Sequence, residues 1–113
     1  MAFKATLEMI EKGIAKIALS GELDASAAPT LKAEVEKAAA QGAKRLVLLM
    51  DDLDYMASAG LRVLIFAKQK MGAKVDIFIV GAQDMVEDTI KKAGVHQGVV
   101  MLDSYDPEQI ENL

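Results

Sequence analysis

The run Leu46-Val47-Leu48-Leu49-Met50 constrains the fold of this chain more than any other stretch. With Arg45 at its start it is apolar throughout, as expected of a central strand buried on both faces of a sheet. Such a strand needs layers above and below it, so the flanking segments have to supply covering helices.

Those segments have the right periods. Phe3 to Met9 alternates apolar and polar residues, as a half-buried strand does. Glu11-Lys12-Gly13 is a turn and Ile14 to Leu19 a second strand, so the chain opens with a hairpin. Ser20 to Asp24 is expected to leave the sheet. A helix then starts near Ser26 or Ala27, with Pro29 in its first turn, where no amide donor is needed. Ala28, Leu31, Val35, Ala38 and Ala39 form its apolar stripe, and Gln41-Gly42 ends it. After the central strand, Asp51 to Tyr55 is expected as a loop. Leu61 to Met71 reads as a helix that buries Leu61, Leu64, Ile65 and Met71; Arg62, Phe66, Gln69 and Lys70 take the other side, with Val63 at the margin. Val75 to Val80 is a further strand, followed by a short helix with Met85, Val86, Ile90 and Ala93 inward. Val99 to Leu102 is a fifth strand, and Pro107 opens a last short helix. The expected order is β-β-α-β-α-β-α-β-α, an α/β fold with a mixed sheet of four to five strands, in one domain over residues 1–113.

Composition narrows the function. At 52% hydrophobic and 27% charged, 113 residues can bury a real core, and disorder is not expected. No apolar run is as long as a membrane span, and Met1-Ala2-Phe3-Lys4 lacks the apolar core of a signal peptide, so a cytoplasmic protein without membrane insertion is expected. A net charge of -4 and the absence of Trp argue against nucleic acid, which calls for a basic face and stacking rings. No cysteine and one histidine leave too few ligands for a transition-metal site. No glycine loop cradles a phosphate, and no cofactor is expected.

The chemistry converges on Met56-Ala57-Ser58-Ala59-Gly60-Leu61. A serine between strand and helix falls at or next to the helix N-cap, and its small neighbours Ala57, Ala59 and Gly60 leave the hydroxyl approachable. A phosphate attached there would meet unpaired N–H donors and the positive end of the helix dipole. A hydrolase elbow wants glycine two residues to either side of its serine, and Ser58 has Met56 on one flank; His96 follows a helix end rather than standing as its base. Asp51, Asp52 and Asp54 could suggest a phosphate-accepting receiver, but no lysine follows Leu102 and a hairpin opens the chain. The chain therefore reads as non-enzymatic. Phe66 and Val63 among Arg62 and Lys70 would make a small apolar centre with a charged rim, the anatomy of a partner surface.

Taken together, Gly21-Glu22-Leu23-Asp24, Thr30-Leu31-Lys32, Asp52-Leu53 and Tyr55-Met56-x-Ser58-x-Gly60-Leu61 resemble a STAS domain. The resemblance spans nearly the whole chain and is strongest to the bacterial anti-sigma factor antagonists of partner-switching systems. It implies that Ser58 is phosphorylated by an anti-sigma factor that is itself a serine kinase with a GHKL-type ATP site. It further implies that the unphosphorylated chain binds this kinase and frees a sigma factor, and that a PP2C-type phosphatase resets it. Asp24 then matches an acidic position in the kinase-contact region, and the helix after Ser58 matches the docking helix. Partner contacts are expected at Asp24, Ala57, Ser58, Ala59, Gly60, Arg62, Val63 and Phe66, on a monomer. The chain departs from the pattern at Ala57, where the family commonly has Asp, and at Arg62, where some relatives have glycine. An alternative within the resemblance is an adaptor that is never phosphorylated, such as a small subunit on the ATPase of a lipid ABC transporter.

Overall fold

The alternating residues at the start of the chain form an antiparallel hairpin. In the computed structural model, which describes residues 2–112, β1 (Lys4–Ile10) pairs with β2 (Ile14–Leu23), with Leu7 opposite Ile17. Next come α1 (Ala28–Ala40), β3 (Arg45–Met56), α2 (Ser58–Met71), β4 (Asp76–Val80), α3 (Asp84–Lys92), β5 (Val100–Leu102) and α4 (Pro107–Ile110). The five strands form one sheet in the order β1-β2-β3-β4-β5, parallel from β2 onward. This is a mixed α/β sheet.

Parallel neighbours in sequential order require crossovers of one hand, which put their helices on one face of the sheet. Accordingly Leu31 and Val35 of α1, Val63 and Leu64 of α2, and Val86 and Ile90 of α3 share a core with Ile17, Leu46, Leu48, Ile77 and Ile79. Alternate residues of the same strands point the other way, so Val47, Phe78 and Val80 form a second core with Ile14 and Ile110. There Tyr105 packs ahead of the short α4, which is the helical cover among the described residues. Arg45 holds it down: its Nη1 donates to the carbonyls of Gln109 (2.6 Å) and Ile110 (2.9 Å).

Several boundaries differ from expectation. Ser20 to Leu23 does not leave the sheet but continues β2, and Asp51 to Tyr55 is not a loop but the second half of β3. The two extensions pair with each other, Ser20 with Asp52 and Leu23 with Met56, across two bulges. Each bulge inserts a residue into β3, so Leu53 and Met56 face the core three positions apart, not two. That spacing erased the strand period from the sequence. In α3, Val86 and Ile90 are buried as expected, but Met85 is 64% exposed and Ala93 faces solvent. No helix among the described residues is long and apolar enough to cross a membrane.

Candidate functional site

The paired extensions of β2 and β3 deliver the chain to the start of α2. Ala57 donates its N–H to Leu23 O at 2.9 Å, which holds Ala57 extended (φ −87°, ψ 171°) in the N-cap position. Ser58 is thus the first helical residue, not the capping one. It is exposed, and among the described residues its hydroxyl has no hydrogen-bond partner. Gly60 N and Leu61 N both bond to Ala57 O, and the first turn of α2 carries no acidic residue.

Gly60 is buried and touches the body of the fold instead of facing a partner. A Cβ there would lie 2.8 Å from Leu23 Cγ and Cδ2 and 3.0 Å from Met56 Cγ. Glycine lets the first turn of α2 sit directly on the end of β2, and this contact fixes where Ser58 stands.

The face of α2 is turned from the expected one. Its buried stripe is Gly60, Val63, Leu64 and Ala67, at helical spacing. Val63, expected on the partner surface, is core at 5% exposure. Phe66 is half-buried, with Lys32 Nζ of α1 4.8 Å from its ring centroid. Leu61 and Met71 are half-buried, while Ile65, expected inside, is 46% exposed. The solvent stripe opposite the core is therefore Ser58, Arg62, Ile65 and Gln69. The error has a physical source: α2 is apolar on both flanks, and its inward stripe includes the small residues Gly60 and Ala67. Weighting large side chains rotates the inferred face, whereas the spacing of Gly60 and Ala67 was the signal that could have found it.

Beside Ile65 lies a mainly apolar groove of about 290 Å³, lined by Leu64, Val95, Gly98 and Val99 among others. His96 belongs to the 3-10 turn Val95–Gly98 at that end of α2, remote along the helix from Ser58; its Nδ1 is buried and among the described residues has no hydrogen-bond partner.

Asp24 follows Leu23 directly, which brings it to the serine's end of α2. Its Oδ1 accepts from the Ser26 hydroxyl (2.7 Å) and from Ala27 N–H (3.0 Å). These bonds, the Ser26 one first, hold its carboxyl below the usual value. Asp24 thereby shapes the turn into α1 while remaining only half-buried. Asp51, Asp52 and Asp54 are exposed along β3, where Gln83 Nε2 donates to Asp51 O (3.0 Å) and Asp54 Oδ1 (3.4 Å). The structure thus brings Asp24, Ala57, Ser58, Ala59 and Arg62 to one end of the sheet. It removes Gly60 and Val63 from the surface and turns Phe66 toward α1.

Comparison with known proteins gives a consistent picture. The family model described as the STAS domain matches residues 9–106. A Bordetella bronchiseptica protein named as the anti-sigma factor antagonist BtrV is 32% identical over 92 residues, 80% of this chain and 78% of that one. An anti-sigma factor antagonist from Mycobacterium paratuberculosis has the same fold, with a TM-score of 0.87 at 20% identity over 97% of this chain and 95% of the other. SpoIIAA in its unphosphorylated form superposes with a TM-score of 0.80 at 24% identity, covering 98% and 95% of the two chains. The phosphorylated form of this Bacillus cell fate determinant gives 0.72 at 24% identity, covering 98% of each chain.

Proposed function

This chain belongs to the STAS domain family, and from that premise we propose that it is an anti-sigma factor antagonist switched by phosphorylation of Ser58. The observation that carries the antagonist reading is the 32% identity, over 80% of the chain, to a protein of that name. The phosphorylation is supported by the site: an exposed hydroxyl, unpartnered among the described residues, at the head of the solvent stripe of α2.

In this reading the unphosphorylated chain, a monomer, binds an anti-sigma factor through Ser58, Arg62, Ile65 and the neighbouring Asp24. The anti-sigma factor is also the kinase. It transfers the γ-phosphoryl group of ATP to Ser58 Oγ; the hydroxyl proton is lost, an O–P bond forms and ADP leaves. The product adds nearly two negative charges where the partner docks flush. Burying such a charge without a partner costs several kcal/mol, roughly a thousandfold in affinity, so one modification releases the complex. A PP2C-type phosphatase resets the serine. The chain is the substrate of this cycle, and its own role is recognition.

The experiment is a pull-down from the native host's lysate with wild type, Ser58→Ala and Ser58→Glu as baits. An ATP-binding serine kinase, identified by mass spectrometry, is expected on wild type and Ala and lost with Glu. A partner held equally by all three would overturn the switch and match an unphosphorylated adaptor.

A further inference from the structure

The helical ion pairs of this chain follow one pattern, and α2 departs from it. On α1, Lys37 Nζ lies 3.0 Å from Glu34 Oε2. On α3, Lys91 lies 2.7 Å from Glu87 and Lys92 lies 2.9 Å from Asp88. In each pair the acid stands one turn nearer the N-terminus than the base, the order that also suits the helix dipole. α2 has the cations Arg62, Lys68 and Lys70 and no carboxylate. One turn before Arg62, where the other helices place an acid, stands Ser58. Both side chains are exposed, and among the described residues neither the hydroxyl nor the guanidinium has a hydrogen-bond, ion-pair or ring partner.

We propose that Arg62 is the intramolecular counter-ion of phosphorylated Ser58, pairing with the phosphate across one turn of α2. Side chains on a helix lean toward its N-terminus, so Arg62 reaches back over the position of Ser58. The planar guanidinium fits phosphate oxygens two at a time, and a dianion binds it more strongly than a single carboxylate would. The other cations of α2 are too far to compete: Lys68 is ten residues on, about 15 Å along the axis. Just beyond the neighbouring β2 the chain carries a carboxylate, Asp24, next to the Leu23 whose carbonyl accepts from Ala57 N–H. The charge nearest in the fold from that side is therefore negative and favours the phosphate turning toward the helix's own cation.

The pairing adds a second arm to the switch and rests on the reading of Ser58 as the modified residue. In the unmodified chain Arg62 is available to an acidic group on the anti-sigma factor. After phosphorylation it is occupied at home. One modification thus adds negative charge to the docking surface and withdraws its nearest positive charge, and both changes weaken the complex.

The test uses the full chain with phosphoserine installed at position 58 during translation, so it does not depend on the kinase. Phosphorus NMR titration gives the second pKa of the phosphate in wild type, Arg62→Gln and Lys68→Gln. Wild type should titrate lower than Arg62→Gln by roughly 0.3–0.7 of a pH unit, a gap that narrows in about 1 M salt. Equal values in wild type and Arg62→Gln would overturn the pairing. So would an equal rise in Lys68→Gln, which would trace the shift to net charge. A lysate with no kinase for Ser58 counts against the phosphorylation itself, whereas these outcomes count against Arg62 alone.

Discussion

Ala57 occupies the N-cap of α2 in extended conformation, with no side chain able to cap it. Gly60 and Leu61 N–H already bond to Ala57 O, but among the described residues the Ser58 and Ala59 amides have no acceptor, and a side-chain acceptor at this position should supply one. Ala57→Asp is expected to stabilise the fold by about 0.5–2 kcal/mol, read as a raised urea midpoint. No gain would mean that the departure from the family pattern costs α2 nothing. Asp24 makes a pH-dependent contribution whose sign follows from its bonds. Its carboxyl is depressed by the Ser26 hydroxyl and then by Ala27 N–H. A group depressed in the folded state stabilises fully above its unfolded pKa and loses that contribution as pH falls through the folded one. The gap in urea midpoint between wild type and Asp24→Ala should therefore be flat from neutral pH down to about pH 5 and shrink below it. An equal gap at about pH 3 would contradict the role given to those hydrogen bonds.

At the scale of elements, α2 carries a core stripe on one face and the proposed docking surface on the other. Ile65 and Val63 are both β-branched, and nothing in their chemistry tells them apart. Packing on α1 and on the sheet does: Val63 is core and Ile65 lies half in water. Ile65→Asp should leave the thermal midpoint within about 2 °C and weaken capture of the anti-sigma factor at least tenfold. Val63→Asp should unfold the chain, because it buries an unpaired charge. If Ile65→Asp bound as wild type does, the docking surface would end near Arg62. The same scale explains the extended strands. Asp51, Asp52 and Asp54 have the composition of a loop, and the bulges in β3 break the alternation that would have disclosed a strand. Backbone pairing with β2, which no local pattern reports, decides the matter.

Across the whole molecule the two faces of the sheet are unequally covered. Three helices pack on one, while α4 supplies a single fully buried side chain, Ile110, to the other. Next to it a hollow of about 370 Å³ remains between Lys16, Leu49, Asp51 and Tyr105. Lys16 Nζ stands 4.1 Å from the Tyr105 ring centroid, and the Tyr105 hydroxyl donates to Glu111. The α4 face is thereby separated in space from the proposed docking surface on α2. Ile110→Ala is expected to cost about 2–5 kcal/mol in urea unfolding. Its affinity for the anti-sigma factor should stay that of wild type, since α4 and α2 lie on opposite faces. A loss of affinity in the folded variant would show that the faces are coupled.

The order of elements, the central strand Leu46 to Met50, the opening hairpin and the serine at the start of α2 are all legible in local pattern. Each rests on a local cause: an unbroken apolar run, an alternation of period two, a proline or glycine at a helix end. Which side of α2 faces water, that Gly60 is a packing residue, and that the acidic stretch after Met50 is a strand are instead set by long-range packing. Those depend on what lies across from each residue: Leu23 beneath Gly60, α1 beside Phe66, and the second half of β2 along Asp52 to Met56. Contacts between residues far apart in the chain leave no local period in the sequence, and they draw the exposed face of α2 on which the proposed partner surface lies.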